Sequence, residues 1–387
     1  MIPYGHQDIT KADIDSVLIA LKSDFLTQGP LVPRFEENLA SQVKAKYAVA
    51  VNSATSALHI ACLALGLQKG DWVWTSPITF VASANCALYA GAKIDFVDID
   101  AVTYNLSVEA LEEKLINAKR NGTLPKIVIP VHMCGQSCDM KRIHLLSKKY
   151  GFFIIEDASH AVGGYYDNHP VGNCEYSDIA IFSFHPVKII TTAEGGMAVT
   201  NRKEFAENMR SLRSHGITRD TELMLQEPDG PWYYEQLSLG FNYRMTELQA
   251  ALGLSQLGKL NKFVNKRHEI AEKYTKELAN LPITLPTQHK ETYSSYHLYP
   301  ILIDQDSPIT RHDLFLELRK EGVGVNVHYI PVHLQPYYKN LGFVSGTYPV
   351  AEDYYLRTIS IPIFYGLTEK QQNFIIEKLT SLLISGS

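Results

Sequence analysis

Apolar positions in the first half of the chain fall into short unbroken runs, at Tyr47–Val51, Trp72–Thr75, Ile94–Val97, Ile127–Val131, Phe152–Ile155 and Ile179–Phe184. Between them lie stretches whose apolar residues recur at helical spacing, among them Ser56–Leu65, Val108–Lys119 and Met140–Tyr150. Continuous apolar strands separated by amphipathic helices predict a mainly parallel sheet covered on both faces. Upstream, Thr10-Lys11-Ala12-Asp13 reads as a helix start, followed by Ile14, Val17, Leu18 and Leu21 on one helical face. After Asn201 the rhythm changes. Helices are expected at Phe205–Arg213, Glu247–Leu257 and Phe263–Leu281, then strands at His297–Ile303 and Val323–His328 with helices at Arg311–Lys320 and Glu369–Leu383. That later pattern predicts a second, smaller α+β unit, and we divide the chain into 1–250, with an N-terminal arm, and 251–387. The polar segment Thr218–Gln236, carrying Pro228-Asp229-Gly230-Pro231, reads as a long surface loop of the kind that often serves as a lid.

A chain of 387 residues exceeds the ~250–300 at which one core tends to divide, in keeping with two units. Hydrophobic residues at 45% and charged residues at 20% are ordinary for a globular protein. A net charge of −5 argues against a nucleic-acid partner. No apolar run approaches the ~18–20 residues of a membrane span, and Met1–His6 lacks the basic and apolar regions of a signal peptide. Five scattered cysteines argue against a disulfide framework, and the spacing of Cys134 and Cys138 does not make a metal-binding pair. The expectation is a cytoplasmic protein without a metal.

Three motifs sit at predicted strand ends, where ligands bind in open parallel sheets. Asn52-Ser53-Ala54-Thr55-Ser56 follows one strand and opens a helix. Free N–H groups, hydroxyls and the helix dipole meet there, which suits a phosphate, though an ordinary helix cap has the same composition. Ile154-Ile155-Glu156-Asp157-Ala158-Ser159-His160 closes another apolar run with two carboxylates. A buried acid needs a partner; a cationic heterocycle is one, a metal shared by Asp157 and His160 another, and simple capping a third. Phe182-Ser183-Phe184-His185-Pro186-Val187-Lys188 leads to Thr191–Gly196. A lysine among apolar and small residues loses proton affinity by desolvation, and its neutral amine can form a Schiff base; a solvated surface lysine is the plain alternative.

Together with Leu26–Pro30, Pro77–Ala84 and Gly240–Met245, these motifs make the chain resemble, over essentially its whole length, the nucleotide-sugar aminotransferases typified by DegT and StrS. Phe182–Gly196, Arg213–Gly216, Gly253–Leu257 and Val327–Tyr329 are similar to the branch that aminates a UDP-linked 4-keto-6-deoxy-N-acetyl sugar of the L-series for pseudaminic acid. The resemblance implies the α/β fold of pyridoxal 5′-phosphate (PLP)-dependent transferases, the aspartate aminotransferase fold type I. Its sheet is mostly parallel and seven-stranded, beside a smaller C-terminal α+β domain.

By the same resemblance Lys188 would hold PLP as a Schiff base and Asp157 would pair with its ring nitrogen. Phe80 and His160 would sandwich the ring, and Ala54, Thr55 and Ser183 would bind its phosphate. Asn242 would reach that phosphate from a neighbouring subunit, requiring a homodimer with shared sites. L-Glutamate would be the amino donor. Tyr4, Thr27, Gln28, Arg213, Arg244, His328 and Tyr329 are candidate contacts to the sugar nucleotide. Ala54 stands where many relatives carry glycine, His160 where others carry glutamine, and Cys134 where an aromatic residue is common. Competing expectations are a D-series 4-keto sugar of the bacillosamine type, the deoxygenating branch that has histidine at the lysine position, and a non-catalytic PLP-binding regulator. Lys188 and Asp157 argue against the last two.

Overall fold

The computed structural model describes residues 1–385. Strands β1 (Tyr47–Val51), β2 (Trp72–Thr75), β3 (Lys93–Phe96), β4 (Ile127–Ile129) and β5 (Phe153–Asp157) form on the expected runs. After a short hairpin of β6 (Tyr165–Tyr166) and β7 (His169–Pro170) come β8 (Ile179–Ser183) and β9 (Gly196–Thr200). Among the described residues these build one seven-stranded sheet in the order β1-β9-β8-β5-β4-β2-β3. The block from β3 to β8 is parallel, and β9 runs antiparallel to both β8 and β1. Pattern reading had not singled out β9, because Gly196 and Ala198 dilute its apolar signal.

Side chains alternate between the two faces of the sheet. Val49, Val73, Ile127, Ile155, Ile179 and Ala198 pack on the face covered by α3 (Ala54–Ala64), α4 (Ala82–Tyr89) and α7 (Lys203–Leu212). Their neighbours in sequence point the other way. Val128 and Ile154 meet α5 (Val108–Asn121) and α6 (Met140–Tyr150), while Ala48, Ala180, Phe182 and Val199 meet α2 (Leu31–Val43) and α8 (Glu247–Leu257). This alternation decides the fate of the two acids ending β5. Asp157 shares the parity of Ile155 and turns toward α4; Glu156 turns to the opposite face.

A three-stranded antiparallel sheet, β12 (Ile283–Thr284), β14 (Tyr299–Ile303) and β15 (Thr358–Ile361), carries a separate core with α10 (Arg311–Lys320) and α13 (Glu369–Ser385). Helix α9 (Leu260–Glu277) belongs to both cores: Phe263 and Val264 lie in the large one, Ile270 and Tyr274 in the small one. At the junction the buried Arg267 guanidinium donates to the carbonyls of Tyr296, His297 and Ile363. The expected strand at Val323–His328 does not form. Val323 and Asn326 make only single bridges, to Ile2 and Ser360, and β15 takes the sheet position instead. The reason is the N-terminal arm, which occupies that edge: Gly324 N–H donates to Ile2 O at 2.7 Å, an approach so close that a Cβ at Gly324 would lie 2.7 Å from the same oxygen.

Thr10 caps α1 (Lys11–Leu21) through the expected box with Asp13. The segment read as a polar loop is tied at its base by β10 (Ile217–Thr218) and β11 (Glu235–Gln236), and so projects as a hairpin arm. No described helix is long and apolar enough to cross a membrane.

Candidate active site

Four chain segments leave the sheet on the side where β2, β5 and β8 end, and they enclose a cavity of about 470 Å³. At the end of β1, Ser53 caps α3 by accepting the Ser56 N–H at 3.1 Å, and Asn52 Oδ1 accepts the Ser56 hydroxyl at 2.6 Å. The N–H groups of Ala54 and Thr55 therefore open the helix toward the cavity with no partner inside it. A Cβ at Gly196 would lie 2.5 Å from Ala54 N, so glycine lets β9 press against this turn. Ser183, ending β8, lines the same wall.

Asp157 lies on the cavity floor, 5% exposed. Its Oδ2 accepts the Ser83 hydroxyl at 2.6 Å and its Oδ1 the Ser159 N–H at 3.1 Å. Glu156, on the opposite face, is 2.7 Å from His132 Nε2 and accepts the Ser177 hydroxyl. The two acids of the motif thus have separate duties: one anchors the strand end and the other faces the cavity. Among the described residues no group of three or more His, Cys, Asp or Glu side chains is arranged to hold a metal ion, so the metal reading of Asp157 and His160 finds no third ligand.

Lys188 reaches the cavity from the loop after β8, where its N–H donates to His185 O at 2.9 Å. Lys188 is half-buried, and desolvation of its amine lowers the pKa from 10.5 to about 8 although Asp157 pulls the other way. Three histidines near it are held neutral. His160 lies well below its ordinary value through burial and the Lys188 charge, His297 likewise through burial and neighbouring cations, and His328 falls to about 3 by burial and Lys188. His160 Nε2 is 3.2 Å from the Tyr329 hydroxyl, and the His160 and His297 rings are 4.4 Å apart. Phe80, 59% exposed, forms the outer wall with its ring 6.4 Å from Tyr329. Tyr4 of the N-terminal arm packs 5.2 Å from His328, which Ser360 holds by its hydroxyl at 2.9 Å.

The structure thus brings together Tyr4, Ala54, Thr55, Phe80, Asp157, His160, Ser183, Lys188, His328 and Tyr329. It leaves five expected residues outside this cavity. Arg213 Nη1 is 2.5 Å from Glu36 Oε1 and 2.7 Å from Ala50 O, an internal ion pair away from the lining of this chain's cavity. Thr27 and Gln28 are exposed beside α8, where Thr27 bridges Thr246. Asn242 is exposed and bridges Ser214, and Arg244 bridges Val51. Ser83, Thr79, His297 and Asn326 also line the cavity and were not anticipated. Thr79 and Ser83 carried a signal, two hydroxyls one helical turn apart beside Phe80; nothing in the pattern points to His297. A larger cavity, about 750 Å³, lies over α5 and α6, and Arg142 there is already matched with Glu109 at 2.8 Å.

One cavity thus gathers a desolvated amine, an anchored carboxylate, a helix N-terminus and an aromatic wall, a set whose chemistry suits a phosphorylated aldehyde with a basic ring. The chain matches the DegT/DnrJ/EryC1/StrS aminotransferase family over residues 7–380. It is 40% identical over 385 residues to the UDP-4-amino-4,6-dideoxy-N-acetyl-beta-L-altrosamine transaminase of Campylobacter jejuni, covering 99% of this chain and 98% of that one. Among solved structures it resembles Helicobacter pylori PseC, an aminotransferase of pseudoaminic acid biosynthesis (TM-score 0.90, 34% identity, 99% of each chain). It also resembles the PMP-form of the putative sugar aminotransferase Spr1654 of Streptococcus pneumoniae (TM-score 0.91, 30% identity, 100% of each chain). The fold is that of the PLP-dependent aminotransferases. The chain belongs to the DegT/DnrJ/EryC1/StrS family and is a PLP-dependent sugar aminotransferase.

Two outcomes follow. Arg213→Ala leaves Glu36 as a buried unpaired charge and should cost roughly 3–5 kcal/mol of stability, read from urea unfolding, with KM for the sugar unchanged in what remains folded; a raised KM at full stability would return Arg213 to the substrate. Covalent capture of added PLP by the apo-protein requires the neutral lysine. Its rate, followed by absorbance, should rise with pH around a midpoint of about 8, where a midpoint at the ordinary 10.5 would contradict the desolvated amine.

Proposed function

We propose that this enzyme transfers the amino group of L-glutamate to C4 of UDP-2-acetamido-2,6-dideoxy-β-L-arabino-hex-4-ulose, giving UDP-4-amino-4,6-dideoxy-N-acetyl-β-L-altrosamine. The single observation that carries the substrate is the 40% identity, over 99% of this chain, to a transaminase named for that product. The cavity residues fit the cofactor. Asp157, with both oxygens anchored, would face the ring nitrogen; Ala54, Thr55 and Ser183 would hold the phosphate at the start of α3; Phe80 and His160 would flank the ring; and Lys188 would carry it. When bound, PLP supplies a conjugated sink for the electron pair left at the donor's α-carbon. Lys188 Nζ, once displaced, takes the proton from that α-carbon and later delivers a proton to C4 of the sugar, acting as base and then acid. Neutral His160, His297 and His328 leave the lysine as the cavity's titrating amine. Tyr4, His328 and Tyr329 form the wall against which the sugar nucleotide would lie.

The reading includes a homodimer with shared sites. Asn242 is exposed and lies outside the lining of its own chain's cavity, and the hairpin arm exposes apolar side chains that a monomer would leave in water, Leu225 at 84% and Trp232 at 70%. A second copy covering the arm would bring Asn242, with Arg244, to the neighbouring site. Work in the cytoplasm belongs to the same reading, in keeping with five free cysteines.

Purified protein with PLP and L-glutamate, offered L-arabino and D-xylo UDP-4-keto sugars separately, should aminate the L-arabino sugar by mass spectrometry. Amination of the D-xylo sugar alone would replace the substrate with the bacillosamine-type one. Lys188→Ala and Asn242→Ala homodimers should be inactive and weakened, respectively. Their mixed dimers should regain activity, since one of the two sites then holds both native residues; no gain over the parents would refute sharing.

A further inference from the structure

Two hydroxyls lead from the start of α4 to Asp157. Because Asp157 shares the parity of Ile155 in β5, its carboxylate turns toward the first turn of α4, where Ser83 sits. Ser83 Oγ lies 2.6 Å from Asp157 Oδ2 and 2.7 Å from Thr79 Oγ1. An ionised carboxylate only accepts and lies closer to Ser83 Oγ than the Phe80 carbonyl at 3.3 Å, so the single Ser83 proton is directed to Asp157, and Thr79 must donate to Ser83. The chain of bonds therefore has one sense, Thr79 O–H to Ser83 Oγ–H to Asp157 Oδ2. Ser83 and Thr79 are 1% and 3% exposed, so water does not compete for these bonds. The other oxygen of Asp157 is held by the Ser159 N–H.

We propose that Ser83, backed by Thr79, is a positioning residue that sets the rotation of the Asp157 carboxylate and keeps the shared proton on the cofactor's ring nitrogen instead of on the carboxylate. The proposal rests on the reading that Asp157 faces that nitrogen. Where a proton rests between a heterocyclic nitrogen and a carboxylate depends on their relative proton affinities. Hydrogen bonds donated to the carboxylate stabilise its charged form and lower its claim on the proton. Two hydroxyls in series polarise one another and strengthen the effect. A protonated ring is what makes the cofactor an effective electron sink, so Ser83 acts on the reaction through Asp157.

The test loads wild type, Ser83→Ala, Ser83→Thr and Thr79→Val with PLP labelled by nitrogen-15 in the ring and records the nitrogen shift by solid-state NMR. Wild type and Ser83→Thr should give a protonated ring. Ser83→Ala should move the shift toward the unprotonated value and lower kcat roughly ten- to hundredfold, the size of one hydrogen bond to a charge, with KM for the sugar unchanged. Thr79→Val should move the shift in the same direction by less, and it carries the test if Ser83→Ala does not hold PLP. A protonated wild type with no shift in either variant would overturn the proposal alone. An unprotonated ring in wild type, unchanged by Asp157→Asn, would overturn the Asp157 reading and the proposal with it.

Discussion

Burial takes protons from the Lys188 amine while the nearby Asp157 carboxylate offers them back, and the balance leaves the amine at about 8. Had the carboxylate been absent, desolvation alone would push it lower; without desolvation the amine would stay near its ordinary 10.5, with a far smaller neutral fraction at neutral pH. The surroundings guard this balance. Nearby cations are avoided by keeping His160, His297 and His328 neutral, and Arg213 is held away in its pair with Glu36. Each of these is a condition on where the fold places a charge.

That placement comes from strand alternation and from the shared direction of strand ends. β5 presents Asp157 to one face and Glu156 to the other, so adjacent acids meet different partners, Ser83 and His132. β1, pressed against Gly196 of β9, sets the opening of α3 beside them. The small unit closes the cavity from above through His297, Asn326, His328 and Tyr329, and Arg267 fixes the His297 carbonyl to the helix shared by the two cores. The cavity thus joins an amine from one strand end, an acid from another, and a wall from the far end of the chain.

The parallel strands were legible because each is buried on both faces and so reads as an unbroken apolar run. β9 was not, since glycine and alanine meet its close packing between β1 and β8 without raising hydrophobicity. The Val323–His328 misreading had the opposite cause: a β-like sequence whose ladder positions are taken by Ile2 and Ser360, segments far away in the chain. Within the site, the motifs at strand ends were readable by residue type and spacing. The pairing of Arg213 with Glu36 was not readable, because a charge three residues before Gly216 says nothing of a partner across the fold. Ser83 and His297 depend on contacts between distant elements, which no local pattern encodes.

Borohydride reduction of the PLP-loaded enzyme, followed by peptide mapping, tests the central claim most directly, because it records which amine the cofactor is bound to. The account expects the phosphopyridoxyl mass on the peptide carrying Lys188 and on no other. Labelling of a different lysine, or none with PLP still bound, would contradict it.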